Sequence, residues 1–259
     1  MTDNVMPEQV SQIEDIRLGR KVLSALLNRH SLVEPVECNS ICELLPGKLY
    51  ELSGPTNSGK SVVSQDMVIS CLLRGYSAVI VDCDYRLDTL GLLQKIKDLC
   101  KARNLSPSHF KSMLYRLTIQ KCGTLTELQV FVGFRLPQLL STEPVALVVI
   151  DSLSSFYWHD RYSIPNVPEL YSGLWQRLAR LSLKFEMSTI VTMQCLFRQQ
   201  ASPFGNDKPF LRPSSLDVTP AIVKNLGQTK FSVQFANRTD VYRMVAGQLL
   251  LVATYSKER

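Results

Sequence analysis

The stretch Gly54-Pro55-Thr56-Asn57-Ser58-Gly59-Lys60-Ser61 decides how the rest of the chain is read. It has the Gly-x-x-x-x-Gly-Lys-Ser spacing of a phosphate-binding loop. It follows Lys48 to Leu52, whose composition suits a strand, and opens Lys60 to Leu73, which suits a helix. That strand–loop–helix setting is the one such a loop requires. The glycines let the backbone wrap an anion so that successive N–H groups point inward. Lys60 then sets a positive charge on the β- and γ-phosphates of a nucleotide, and the Ser61 hydroxyl joins the Mg²⁺ shell. The positive end of the following helix faces the same anion. A chance match in a turn is the bland alternative, and the flanking elements argue against it.

Three further strand ends carry polar residues. Ala146-Leu147-Val148-Val149-Ile150-Asp151 is an apolar strand ending in an acid, where a metal-coordinating carboxylate should emerge. The alternative role for Asp151 is a helix cap. Val79-Ile80-Val81-Asp82-Cys83-Asp84 ends likewise, and an acid there can orient or activate an attacking water if ATP is hydrolysed. Asp84 is one methylene shorter than Glu, so its carboxylate stops about 1.5 Å short of where a Glu would reach. A misplacement of that order costs about a hundredfold in rate. Ser188-Thr189-Ile190-Val191-Thr192-Met193-Gln194 ends in an amide. Gln194 either senses a γ-phosphate or caps a turn, and the residues alone leave both open.

The chain has 259 residues, 45 % of them hydrophobic and 20 % charged, which excludes disordered, collagen-like and coiled-coil classes. Its longest apolar runs, such as Val145 to Ile150 and Leu249 to Ala253, are too short to span a bilayer, so no membrane is expected. Met1 to Asp15 carries Asp3, Glu8, Glu14 and Asp15 and does not read as an export signal. Seven cysteines, an odd number with several inside apolar runs, suit reduced, buried thiols in cytosol or nucleus. Cys38 and Cys42 are close enough in sequence to share a helix face, but nothing nearby completes a zinc site. The net charge of +6 permits nucleic-acid binding without arguing for it.

Hydrophobic periodicity predicts an amphipathic helix over Glu14 to Asn28 and then an alternation. Strands are expected at Ala78 to Asp82, Leu114 to Ile119, Val145 to Ile150 and Ser188 to Met193. Helices are expected at Asp88 to Ala102, Leu125 to Leu140 and Glu169 to Phe185. Leu196 to Leu216, with Pro203, Gly205, Pro209 and Pro213, reads as a long loop. Lys230 to Phe235, Val241 to Ala246 and Leu249 to Ala253 read as consecutive strands with turn signals at Asn237-Arg238 and Gly247-Gln248. The fold class is therefore α/β, a mainly parallel twisted sheet flanked by helices with antiparallel C-terminal strands. Two domains are expected: an N-terminal helical segment and linker over 1–47, and an ATPase core over 48–259.

Within the long loop, Phe197, Phe204 and Phe210 interleave with Arg198, Lys208 and Arg212, a pattern that suits either stacking on single-stranded DNA or anchoring of a partner protein. His159 reads as a solvated loop residue.

Taken in order, these elements resemble the ATPase core of the RecA superfamily. The likeness narrows at Ile150-Asp151-Ser152-Leu153-Ser154-Ser155-Phe156-Tyr157-Trp158-His159-Asp160-Arg161 and at Val81-Asp82-Cys83-Asp84-Tyr85-Arg86-Leu87-Asp88, which are similar to the eukaryotic recombinase paralogues. It covers roughly Gly19 to Phe235. The resemblance implies a RecA-like core with Lys60 and Ser61 on phosphate and Mg²⁺, Asp151 as the acid of the second nucleotide motif and Asp84 at the water-activating position. It further implies that Asp88 lies where adenine contacts arise and that Gln194 senses the γ-phosphate. Trp158 to Pro168 and Leu196 to Ser215 fall where that family has DNA-facing loops. The cofactors implied are ATP and Mg²⁺. The partners implied are other recombinase paralogues in a hetero-oligomer, indirectly the strand-exchange recombinase, and single-stranded DNA. The implied place is the nucleus, with a cytoplasmic pool, and the implied work is repair of double-strand breaks and stalled forks by homologous recombination. The short acid at Asp84 favours a subunit that binds ATP and hydrolyses it weakly or not at all. A DNA-stimulated ATPase is the alternative, and a phosphate-loop kinase for a small metabolite is a more distant one, since the long loop offers only Arg198 and Arg212 for a lid.

Overall fold

Strand β3 (Leu49–Gly54) is buried along its whole length, as is β4 (Ser77–Asp82), while β6 (Val145–Asp151) and β7 (Ser188–Gln194) are buried up to their last residue. Continuous apolar runs of this kind mark strands covered on both faces. The computed structural model describes residues 36–38, 42–194, 212–235, 238–245 and 248–256. They belong to one compact unit that runs from Pro35 to Arg259. The helix expected over Glu14 to Asn28 and the heart of the expected long loop lie outside the described residues.

The main sheet has nine strands in the order β11-β10-β9-β8-β3-β7-β6-β4-β5. The strands not yet placed are β5 (Leu117–Lys121), β8 (Val218–Gly227), β9 (Lys230–Gln234), β10 (Arg238–Val245) and β11 (Gln248–Ser256). From β8 to β5 every neighbour is parallel, and from β8 to β11 every neighbour is antiparallel. A separate two-stranded ribbon joins β1 (Val36–Cys38) to β2 (Cys42–Leu44). Cys38 and Cys42 are direct partners across that ribbon, so the shared helix face considered from their spacing is not formed. Of the other cysteines, Cys71, Cys83, Cys100 and Cys122 are free and buried. Among the described residues no helix is long and apolar enough to cross a membrane.

Helix α1 (Lys60–Leu73) covers one face of the sheet. The opposite face is packed by α4 (Leu125–Val130), α5 (Leu136–Thr142) and α7 (Val167–Phe185), whose Leu128, Leu136, Trp175 and Leu178 meet Val79, Val81, Val148 and Val191. Side-chain caps start several helices where the sequence puts them. Asp88 accepts from Gly91 N (2.9 Å) to open α2 (Thr89–Ala102), and Thr124 accepts from Glu127 N (3.1 Å) to open α4.

Three elements depart from the sequence reading. The helix expected over Leu125 to Leu140 is interrupted by a π-helical turn at Phe131–Arg135. Pro137 has no N–H to offer the carbonyl four residues back, which is Gly133, and Arg177 Nη2 of α7 donates to that oxygen instead (2.7 Å). Helix α3 (Pro107–Tyr115), not expected, takes the start of the strand predicted from Leu114. Ser106 caps it and Pro107 stands in its first turn. Strand β8 was hidden by Pro220, which argues against a sheet interior. Pro220 is tolerated because β8 pairs only with β3 there, and its pairing with β9 starts at Ile222.

Candidate nucleotide-binding site

Helix α1 begins without a side-chain cap. Its N-cap is Gly59, in left-handed conformation at φ 97°, and Asn57 at φ 61° precedes it in the same region. Gly59 is required twice over, because a Cβ there would meet the Phe231 ring at 2.4 Å. A Cβ on Gly54 would lie 2.4 Å from Val223 O and 2.6 Å from Ser58 Oγ. The loop between the two glycines therefore curls tightly, and the uncapped N–H groups of α1 open onto a cavity of about 370 Å³.

Thr56 to Ser61 line this cavity. Gly54 and Pro55 contribute their carbonyls, each 2.9 Å from Lys60 Nζ, which also reaches Ser58 Oγ at 3.4 Å. The ammonium is thus held against the loop from a largely buried stem. Strand order brings the other strand ends alongside. Gly54 and Gln194 are register partners of β3 and β7, and Asp82 and Asp151 are partners of β4 and β6. Asp82, Asp84, Asp151 and Gln194 all line the same cavity.

Asp151 accepts from Thr192 Oγ1 (2.6 Å), and Ser61 lines the same cavity. Burial pushes its carboxyl above the ordinary range. The Thr192 and Ser61 hydroxyls pull it back, the Asp84 charge pushes it further up, and Lys60 opposes that. A divalent cation would relieve this tension. Asp84 accepts from Ser155 Oγ, whose oxygen is also 2.7 Å from Ser152 O. Asp82 receives the N–H groups of Arg86 (3.2 Å) and Leu87 (3.3 Å), which gives it a turn-holding role. Gln194 N donates to Ser154 Oγ at 3.1 Å.

The residues expected for ATP and Mg²⁺ fit that pair. The glycine cradle leaves no room for Cβ atoms, Lys60 supplies a cation, and Ser61 and Asp151 line the same cavity. Among the described residues no group of three His, Cys, Asp or Glu gathers as a metal site, so a Mg²⁺ here would take its remaining ligands from phosphate and water.

Other expected residues are placed elsewhere. Asp88 does not line the cavity, and its carboxylate is engaged as the α2 cap. Arg212, grouped by sequence with the basic residues of the long loop, points inward: its Nη1 is 3.0 Å from Glu51 Oε2, with Glu51 buried and Arg212 partly so. His159 is exposed beside Asp160. Within Trp158 to Pro168, Tyr157–Asp160 forms a short helix α6, and the Arg161 guanidinium stacks on Tyr162 at 4.2 Å.

Sequence reasoning missed four contributors. Thr192 and Ser155 sit inside motifs already quoted, and their hydroxyls could have been assigned by alternation along β7 and by nearness to Asp151. Asn225 and Phe231 had no such signal. Asn225 Nδ2 donates to Asn57 O at 3.3 Å, and Asn225 and Phe231 line the cavity because the strand order places β8 next to β3 and β9 next to β8.

Comparison with curated proteins finds a relative. The chain is similar to the mouse DNA repair protein XRCC2. The two are 27 % identical over 194 residues, 70 % of this chain and 69 % of the Mus musculus protein. No protein-family model matches the chain. The likeness agrees with the resemblance read from the strand-end motifs, and the nine-stranded sheet, parallel with an antiparallel C-terminal extension, is the RecA-like α/β core that resemblance implied.

Proposed function

We propose that this chain is a RecA-like subunit that binds ATP with Mg²⁺ and serves DNA repair by homologous recombination through partner chains. The observation that carries the nucleotide part is the gathering of Lys60, Ser61, Asp84 and Asp151 around one cavity at an uncapped, glycine-cradled α1 N-terminus. Lys60 would leave the loop carbonyls for phosphate oxygens, and Ser61 and Asp151 would share the cation. Bound Mg²⁺ would supply charge neutralisation between β- and γ-phosphates. The repair role rests on the similarity to the mouse DNA repair protein XRCC2, while the hetero-oligomer of recombinase paralogues and a nuclear site of action follow from the resemblance of the strand-end motifs. Asp88 enters this reading only as a residue near the base, through the α2 turn it caps.

Turnover is expected to be weak. Asp84 is shorter than the Glu that would reach a water, and its carboxylate is engaged by Ser155. Gln194, adjoining both Gly54 and Ser154, is the residue positioned to relay a γ-phosphate toward the segment that follows it.

The test is ATP binding and hydrolysis by the purified full chain, with and without single-stranded DNA, using Lys60→Ala as the control. Loss of one charge-assisted contact predicts affinity about 10- to 100-fold weaker in the variant. Binding without measurable turnover supports the assembly-subunit reading. DNA-stimulated turnover would replace it with an ATPase in which Asp84 suffices. No binding to either protein would reject the nucleotide part outright.

A further inference from the structure

Strands β8 to β11 contain one acidic residue, Asp240, and four basic ones, Lys224, Lys230, Arg238 and Arg243. Asp240 is fully buried and engaged by Arg238 Nε (2.7 Å), Thr254 Oγ1 (2.9 Å) and Tyr242 OH (3.1 Å). That leaves three cations, and the register places them together on the opposite face. Lys230 and Arg243 are direct cross-strand partners, while Lys224 pairs with Ser232, two residues along β9 from Lys230. Like charges set directly opposite each other in a sheet are destabilising. No ion pair or hydrogen bond engages these three side chains among the described residues, and Lys224 and Arg243 are exposed.

β11, the last strand of the sheet, pairs with β10 and so borders Arg243, while Lys230 on β9 lies one strand and Lys224 on β8 two strands further in. β11 has no further strand on its outer side among the described residues, and it contains neither Lys nor Pro to blunt that edge. Leu250, the partner of Arg243, is 48 % exposed, with Val245 at 44 %, Val252 at 57 % and Tyr255 at 62 %. Open backbone donors and acceptors, exposed aliphatic side chains and the Arg243 cation adjoin at this edge, with the other two cations behind it on the same face.

We propose that β11 and the Lys224–Lys230–Arg243 cluster form a docking surface for an extended segment of a partner protein that alternates apolar and acidic residues. The segment adds to β11 as a further strand, buries Leu250 and Tyr255, and carries a carboxylate across β11 toward Arg243, with Lys230 and Lys224 adding to the positive field behind it. Charge complementarity selects an acidic occupant. The aliphatic side chains favour a protein over a nucleic acid, whose backbone would use the cations and leave Val245, Leu250 and Val252 in water. The inference is independent of whether the phosphate loop takes ATP.

The test pans a random peptide library displayed on phage against the full chain, then measures synthetic copies of the enriched peptides by fluorescence anisotropy. A mixed-sequence single-stranded oligonucleotide is titrated in parallel. Enriched peptides should alternate apolar residues and carry surplus Asp and Glu. Their affinity should fall by about tenfold or more in the Lys224→Glu/Lys230→Glu/Arg243→Glu variant. A Lys224→Gln/Lys230→Gln/Arg243→Gln variant, which relieves repulsion, keeps the fold and should weaken the same peptides in the same direction. Leu250→Ser should weaken them with the charges intact. The proposal is overturned if nothing is enriched, if the enriched peptides lack acids, or if charge reversal leaves their binding unchanged. It is also overturned if only the oligonucleotide binds and loses binding on reversal, because the surface would then read phosphodiesters.

Discussion

In the parallel half of the sheet, Asp82, Asp84 and Asp151 end their strands with backbone N–H groups or hydroxyls on their oxygens. In the antiparallel extension, Lys224, Lys230 and Arg243 share a sheet face with no acid at all. The first half gathers charge around a cavity and holds it in place with neutral donors. The second half satisfies its one buried acid and leaves its cations outward. Polar groups held at fixed positions suit a small ligand of defined shape, while unpaired cations beside an open edge suit a larger partner that brings its own charge. The two halves meet where β8 changes partner, and Asn225 and Phe231 touch the Gly54–Ser61 loop from that junction.

Removing the one satisfied acid of the extension is the most disruptive change. Asp240→Ala removes the acceptor shared by the Tyr242 hydroxyl, Thr254 and half-exposed Arg238, and should cost about 3 to 4 kcal/mol, with a thermal midpoint roughly 10 °C lower by calorimetry.

Asp66 of α1 links the two halves, since Leu249 N of β11 donates to its Oδ1 at 3.4 Å while Oδ2 has no partner among the described residues. Burial pushes its carboxyl up to about 6 from 3.8, against the Leu249 bond and the Lys95 charge. The folded state therefore binds the proton more tightly than the unfolded one. The stability this provides is complete below about pH 4 and is lost as the pH rises through 6. Asp66→Asn should raise stability by up to about 3 kcal/mol at pH 7.5, and the gain should shrink below pH 6 and vanish near pH 4. Denaturant melts of both proteins across that range provide the check, and a gain independent of pH would dismiss the titration of Asp66.

Gly54→Ala drives a Cβ into Val223 O, a backbone atom that cannot step aside, and should cost about 2 kcal/mol with a matching fall in the denaturation midpoint. The smallest effect has the opposite sign. Lys230→Gln relieves the repulsion with Arg243 and should stabilise by about 0.5 kcal/mol at low salt, with the gain screened away at high salt. A loss of stability there would mean that the cluster is satisfied within the chain and would remove the contrast between the halves.

Much of the parallel half was legible because its signals are local. Strand β4 began one residue before its expected start, and α1 ran over the expected Lys60–Leu73, since buried runs and the Gly-Lys-Ser junction are written in neighbouring residues. The π-turn at Phe131–Arg135 was not legible, because it depends on Arg177 reaching Gly133 from another helix. Nor was β8, where Pro220 reads as a strand breaker until its one-sided pairing is known.

The candidate site divides in the same way. The sequence by itself determined the glycine-flanked Gly54–Ser61 turn, the acids at the ends of β4 and β6 and the amide at the end of β7, because each is a chemical group at the end of a short apolar run. Only the tertiary structure decided which groups meet: Ser61 and Asp151 in one cavity, Ser155 with Asp84, Phe231 against Gly59, and Arg212 turned inward to Glu51. Residue type and spacing specify what chemistry a strand end can offer. Strand order and register specify its neighbours, and those arise from packing distant segments into one sheet, which no local pattern encodes.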